Sequence, residues 1–343
     1  MDDFHLKPFV SFCMATYKRE EILLETLQSI QRQTYKNFEV IVSDNDIEET
    51  GKEWVGKLND NRFKYFANTH NLGMKPSFNK SIERSSGEFI VMIADDDPVY
   101  FDMLETLVEL HNKFPEKGMY MGGCDWFCIH AETAAMYNMN VGTNSCLSSK
   151  ILYKQIQDFN ADDFLIQFFA MKYYKHYLWS CCMVKKSIIT SCGGTPDYGT
   201  PFLGDYAYMS TMGSVNGAIM INKALGCQTM HKENFGRNQH EQLIMVSTNL
   251  PKYFIPKIDH LARAEEIKKE FYHFLGMAMV SHISFLQAYF KKQKINQPQL
   301  DLAEKNVFSL PYMKPFYKKY FIKKHFPKTH DLIVKAKKKI LSN

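Results

Sequence analysis

Apolar and polar residues alternate in blocks through the first hundred positions. Phe9 to Met14 is a short apolar strand, followed by a polar turn at Ala15-Thr16-Tyr17-Lys18-Arg19. From Glu20 to Gln33 the apolar positions Ile22, Leu23, Leu27 and Ile30 recur at helical spacing. Phe38 to Val42 reads as a second strand and ends on Ser43-Asp44-Asn45-Asp46. The pattern then predicts a helix from about Glu49 to Leu58, a strand at Phe63 to Phe66 and a helix around Pro76 to Arg84. A fourth apolar run, Phe89 to Ala94, stops on three carboxylates, Asp95-Asp96-Asp97, before a helix from Asp102 to Leu110. Strand-helix-strand units of this length predict an α/β fold, a mostly parallel sheet with helices on both faces.

In such sheets ligands collect at the carboxyl ends of the strands. Three polar clusters fall there: Thr16 to Arg19, Ser43 to Asp46, and Asp95 to Asp97. Three adjacent carboxylates repel one another and resist desolvation unless a positive charge sits among them. A hard divalent cation holding substrate phosphates would meet that need. A solvated acidic cap for the following helix is the other reading. The loop Asn68 to Lys75, with Asn71, Gly73 and Lys75, has the donors to lie against phosphate or sugar. Neither G-x-x-x-x-G-K-[ST] nor G-x-G-x-x-G occurs, so neither P-loop nor dinucleotide chemistry is indicated.

Composition adds a second theme. The 343 residues are 45% hydrophobic and 14% aromatic, which suits a folded chain with a sizeable core. The eight cysteines lack paired metal-ligand spacing and read as reduced, buried thiols of a cytoplasmic protein. No signal peptide is visible after the acidic Met1-Asp2-Asp3, and no apolar stretch is long enough to span a bilayer. The formal charge of +5 hides an asymmetry, because residues 310–343 hold ten lysines against one acid, Asp331. Tyr312, Phe316, Tyr317, Tyr320, Phe321 and Phe326 are interleaved with those lysines. Such a segment suits peripheral contact with an anionic membrane on the inner face of the cell membrane. A solvated helix pair and nucleic acid are the competing readings, and nucleic acid is not the expected partner.

The residues now resemble a known family. Val10-Ser11-Phe12-Cys13-Met14-Ala15-Thr16-Tyr17-Lys18-Arg19 is similar to the opening strand of the family 2 inverting glycosyltransferases. Leu27 to Asn45 is similar to their S-I-x-x-Q-T-Y-x-N-x-E-I-I-V-x-D-[DN], and Gly87 to Asp97 to their G-E-Y-I-x-x-L-x-D-D-D. The resemblance is dense over 8–110, thinner over 175–235, and absent after about 240. It implies a GT-A glycosyltransferase domain over 1–240, and the remainder, 241–343, reads as a helical C-terminal region ending in the basic, aromatic-rich tail 310–343.

The resemblance also implies roles. Thr16, Tyr17 and Arg19 would hold the nucleoside end of a nucleotide-sugar donor, and Asp44 and Asn45 would read its base, commonly uracil. Asp95, Asp96 and Asp97 would bind Mn or Mg, although Ala94 replaces an acid often found there. Leu203-Gly204-Asp205 resembles the G-E-D segment whose Asp is the general base, with Gly204 in place of Glu. His231 aligns with a His that reaches the metal or the diphosphate. Transfer needs a base beside the acceptor hydroxyl and a cation on the leaving nucleoside diphosphate. Asp205 would be the first, walled by Trp179 and Tyr206, although an Asp there also suits an ordinary helix cap. The expected acceptor is a surface glycan, lipid-linked or free, with a sugar nucleotidyltransferase and an inactive scaffold as rivals. The aromatic run Phe164 to Tyr177 reads as a buried or lid helix, and Met277 and Met279 as core.

Overall fold

The computed structural model describes residues 7–231, 240–294 and 298–326. The acidic N-terminal residues 1–6, and residues 327–343 with five of the ten tail lysines, lie outside them.

The alternation read from the sequence becomes β1 (Val10–Thr16), α1 (Glu21–Gln31), β2 (Phe38–Asp44), α2 (Thr50–Gly56), β3 (Phe63–Ala67), α3 (Met74–Arg84), β4 (Phe89–Ala94) and α4 (Met103–Lys113). Helix α3 starts two residues before Pro76, which sits in its first turn, where a missing N–H costs no hydrogen bond. The chain continues through β5 (Met119–Cys128), α5 (Ala131–Tyr137), β6 (Gly142–Ser145), β7 (Ile156–Phe159), α6 (Ala161–Phe169), β8 (Cys182–Lys185), α7 (Lys186–Ser191), α8 (Gly204–Asn216) and β9 (Ala218–Met230). Four helices follow: α9 (His240–Ile258), α10 (Ala264–Gln293), α11 (Pro298–Phe308) and α12 (Lys314–His325).

The strands run in the order β3-β2-β1-β4-β8-β5-β9-β7, with β6 against β5. The β3-β2-β1-β4 half is parallel, and the short β8 is inserted antiparallel between β4 and β5. Register pairs Thr16 with Asp44 and Ala15 with Ala94, so β1, β2 and β4 end level and deliver their polar clusters to one edge.

Side chains alternate across the sheet. Val10, Phe12 and Met14 join Leu23, Leu27 and Leu107 on one face. Cys13, Ile90 and Met92 join Phe78, Phe164, Phe168 and Tyr208 on the other. That second core runs on into Leu243, Phe254, Phe271 and Met279, so the helices after residue 240 share it. The run from Phe164 to Tyr177 is buried in it, not a lid: Phe164, Phe168, Phe169, Tyr174 and Tyr177 are all enclosed. Met279 is core as expected, but Met277 is 42% exposed, because two residues along a helix turn to opposite sides. On α12 Tyr320 packs inward, whereas Tyr317 and Phe321 are exposed, as is Phe326 just past its end. No helix among the described residues is long and apolar enough to cross a membrane.

Candidate active site

The carboxyl edge of the sheet is built from residues far apart in sequence. At the end of β1 the Thr16 hydroxyl donates to Asp95 Oδ2 at 2.7 Å. Arg19 reaches the same cluster, its Nε 3.6 Å from Asp95 Oδ1 and its Nη2 3.4 Å from Asp96 Oδ2. From the end of β9 the Thr229 N–H donates to Asp97 Oδ1 at 3.2 Å. Beyond it, His231 Nε2 lies 3.0 Å from Asp96 Oδ2. Above this cluster opens a cavity of about 620 Å³, lined by Thr16, Tyr17, Arg19, Asn45, Asn71, Asp95, Asp96, Asp97 and Asp205 together with an apolar group.

Four carboxylates share that space, and their electrostatics show it. Burial, and then the charge of Asp96, push the Asp95 carboxyl up to about 7 against the pull of Arg19 and Thr16. Burial, then Asp96, then Asp205, hold Asp97 well above the usual carboxylate range. Asp205 is pushed up to about 6, by burial and then by Asp96. Such a set is short of positive charge. Hard oxygen donors with one imidazole fit a divalent cation of the Mg or Mn type. No three His, Cys, Asp or Glu side chains among the described residues are arranged to hold a metal by themselves. An ion held here would have to draw the rest of its shell from outside these side chains.

Asp205 lies in the first turn of α8, and the residue before the helix is Leu203, in the left-handed region at φ 60°, with no side-chain cap bond. The capping alternative for Asp205 is thus not what the helix uses. Trp179 both packs and lines: it meets Phe78 edge-on at 5.0 Å and Tyr208 at 6.3 Å while bordering the cavity. Tyr206 is not a wall. It turns into the core, its hydroxyl 3.1 Å from His176 Nδ1 and its ring 4.7 Å from Phe274.

Two expected donor-site residues lie off the cavity lining. Asp44 turns into α2, accepting from Gly51 N–H at 3.0 Å, Asp46 N–H at 2.9 Å and the Tyr65 hydroxyl at 2.8 Å. Gly51 makes this possible, since a Cβ there would stand 2.7 Å from Asp44 Oδ2. Lys75 pairs with Asp197 at 3.3 Å and lies 4.1 Å over the Tyr198 ring. Asn45 does line the cavity and organises its rim, donating to Gly73 C=O at 3.1 Å and accepting from Leu72 N–H at 3.2 Å. Asn71 accepts from Gly73 N–H at 2.8 Å.

Sequence reasoning named Leu203 but missed Pro201 and Phe202 just before it, which with Leu203 line the wall. The turn residues Gly199-Thr200-Pro201 are the only signal there. The Tyr198 hydroxyl donates to Phe202 C=O at 2.6 Å, and Phe202 N–H donates to Thr200 Oγ1 at 3.1 Å. Thr200 is bonded to Gln242 of α9, and the Phe202 ring lies 4.7 Å from His282 of α10.

Residues 11–178 match the family model described as glycosyl transferase family 2. A curated relative from Campylobacter jejuni, GalNAc(5)-diNAcBac-PP-undecaprenol beta-1,3-glucosyltransferase, is 34% identical over 109 residues, 31% of this chain and 35% of that protein. The Escherichia coli UDP-Glc:alpha-D-GlcNAc-diphosphoundecaprenol beta-1,3-glucosyltransferase WfgD is 29% identical over 120 residues, 35% of this chain and 46% of that protein. The chain thus spans between about a third and a half of the length of these relatives. In fold it is similar to S. aureus TarS 1-349, with a TM-score of 0.58 at 16% identity over 88% of this chain and 81% of that one. It is also similar to mannosyltransferase PcManGT from Pyrobaculum calidifontis, with a TM-score of 0.54 at 16% identity over 95% and 89%.

Proposed function

This chain belongs to glycosyl transferase family 2, and on that premise we propose that it moves a sugar from a UDP-linked donor to a hydroxyl of a lipid-linked or surface-glycan acceptor, with inversion. The observation that carries the reading is the crowding of Asp95, Asp96, Asp97 and Asp205 around one cavity at the carboxyl edge of the sheet. The relatives support the donor and acceptor classes: WfgD is named for UDP-Glc, and both relatives for undecaprenol diphosphate glycans.

In this reading Asp205 takes the proton from the acceptor hydroxyl, whose oxygen attacks the anomeric carbon as the bond to the diphosphate oxygen breaks. A carboxyl poised near 6 is ionised at neutral pH and still basic enough to accept that proton. Asp96 and Asp97 would hold a Mn or Mg ion, with His231 orienting Asp96 through their 3.0 Å contact, and the ion would supply positive charge to the departing diphosphate. Thr16 and Arg19 fix Asp95 and Asp96, while Tyr17, Asn45 and Asn71 border the nucleoside end. Asp44 would act on the base only through the segment it braces. We divide the chain into a catalytic part over 1–240 and a C-terminal part over 241–343, whose described residues are largely helical and whose exposed Tyr317 and Phe321 among lysines suit an anionic bilayer surface.

Calorimetric titration of UDP and GDP, with and without Mn, tests this on the wild type and on Asp97→Ala. Mn-dependent UDP binding that Asp97→Ala abolishes is the expected result. Preference for GDP overturns the base assignment, and no nucleotide binding favours an inactive scaffold.

A further inference from the structure

The loop between β6 and β7 turns two bulky apolar side chains into water. Leu152 and Tyr153, adjacent in the chain, are 78% and 66% exposed. One exposed leucine is ordinary, but a loop braced to hold such a pair outward is not. The brace comes from β9. The buried Asn222 donates through Nδ2 to the C=O of Ile151 at 2.8 Å and of Leu152 at 3.3 Å. Its own C=O accepts from Lys154 N–H at 2.9 Å, and its N–H donates to Gln155 C=O at 3.0 Å. Lys154 takes the left-handed backbone at φ 61°, uncommon for a residue with a side chain, directly after the tip.

The tip is ringed by positive charge. Lys150 and Lys154 flank it, and Lys154 Nζ lies 5.7 Å from the centroid of the Tyr153 ring. Leu147 bridges Tyr174 antiparallel and Ser148 N–H donates to Tyr173 C=O at 3.0 Å, which brings Lys172 and Lys175 alongside. All four lysines are exposed, and neither 146–157 nor 171–178 contains an acid. Asp158, the next acid along, is paired with Lys117 at 2.7 Å. A protruding apolar point among lysines matches an anionic bilayer: leucine passes below the headgroups, the tyrosine hydroxyl stays among them, and the lysines meet lipid phosphates. An acidic protein would have to supply a fitted pocket as well as the charge, whereas a fluid surface closes around such a point. We propose that residues 150–154 form an insertion tip for anionic lipid, a docking surface separate from the exposed rings of α12 and independent of what the cavity binds.

The test is sedimentation of the full chain with vesicles of phosphatidylglycerol and phosphatidylcholine, and with phosphatidylcholine alone. Replacing Leu152 and Tyr153 together with Ser should lower binding to the anionic vesicles by about tenfold. Replacing Lys150 and Lys154 with Gln should lower it roughly fivefold for each lysine and flatten its dependence on salt. These side chains are exposed, so the thermal midpoint should stay within about 1 °C and UDP titration should match the wild type. Leu152→Trp should keep vesicle binding, and its emission, after subtraction of the wild-type signal, should shift to the blue and be quenched by brominated acyl chains. Equal binding to neutral and anionic vesicles, unchanged binding of the serine variant, or Leu152→Trp emission indifferent to brominated lipid overturns the proposal and points to a protein partner or none. Failure of UDP to bind would bear on the cavity alone.

Discussion

His231 Nε2 lies 3.0 Å from Asp96 Oδ2, a contact that joins the end of β9 to the end of β4 across 135 residues of chain. Arg19 Nη2 approaches the same oxygen at 3.4 Å, so Oδ2 of Asp96 is held by two side chains at once. His231→Ala should lower kcat by about 10- to 100-fold, the usual cost of losing a group that orients a ligating carboxylate. It should weaken UDP binding in Mn far more than without it. His231→Gln, which keeps a donor, should recover part of the loss. Steady-state rates and titrations with and without Mn check all three.

The carboxyl of Asp205, at about 6, sets a pH profile. A base must be ionised, so the rate should climb as pH rises through about 6 and level off above 7. Asp205→Asn should cut kcat by about 10²- to 10⁴-fold while leaving donor affinity within a few-fold. A profile flat from pH 5 to 8 would remove Asp205 from that role.

The same crowding costs the metal-free protein stability near neutrality. Asp95, Asp97 and Asp205 all have folded values raised above those of an unfolded chain. Each therefore stabilises the fold fully below about pH 4, and that contribution is lost as pH rises through the folded value, near 6 for Asp205 and 7 for Asp95. The thermal midpoint without divalent ions should fall between pH 5 and 7.5. Asp97→Asn, which can still accept from Thr229 N–H, should raise it at pH 7.5 by about 2–4 °C. Scanning calorimetry in chelator, across pH, measures both.

Tyr317 and Phe321 are 45% and 39% exposed, with ring centroids 5.9 Å apart on one side of α12. Replacing both with Ser should weaken binding to vesicles rich in anionic lipid by about tenfold and leave the thermal midpoint within about 1 °C. Deleting residues 310–343 is a poorer test, because it also removes the buried Met313 and Tyr320. Unchanged vesicle sedimentation of the double variant would assign those rings to something other than a bilayer.

The parallel half of the sheet was legible because its strands are apolar runs ending abruptly on polar clusters, and local pattern suffices there. The carboxylates at the end of β4 were legible for the same reason, whereas Asp205, in the first turn of α8, was reached only through the family resemblance. Asp44 was harder. It ends β2 beside Asn45, and neighbouring strand residues point to opposite faces, so one position decides which enters the cavity. Asn45 does, and Asp44 braces α2 through Gly51 instead. The pairing of Lys75 with Asp197 could not be read from local pattern, because the two lie 122 residues apart. The Pro201–Leu203 wall has no periodicity to read, and its shape comes from contacts with α9 and α10.

Those contacts give the last helices an unexpected standing. The family match ends at residue 178, yet the Pro201–Leu203 wall of the cavity leans on Gln242 and His282. Neither borders the cavity. Exchange of the segment after 240 between related chains would therefore not be a neutral graft: the recipient must rebuild two supports or let its wall slump. Conversely, the shape of that wall can be altered from outside the cavity, at positions that border none of its carboxylates.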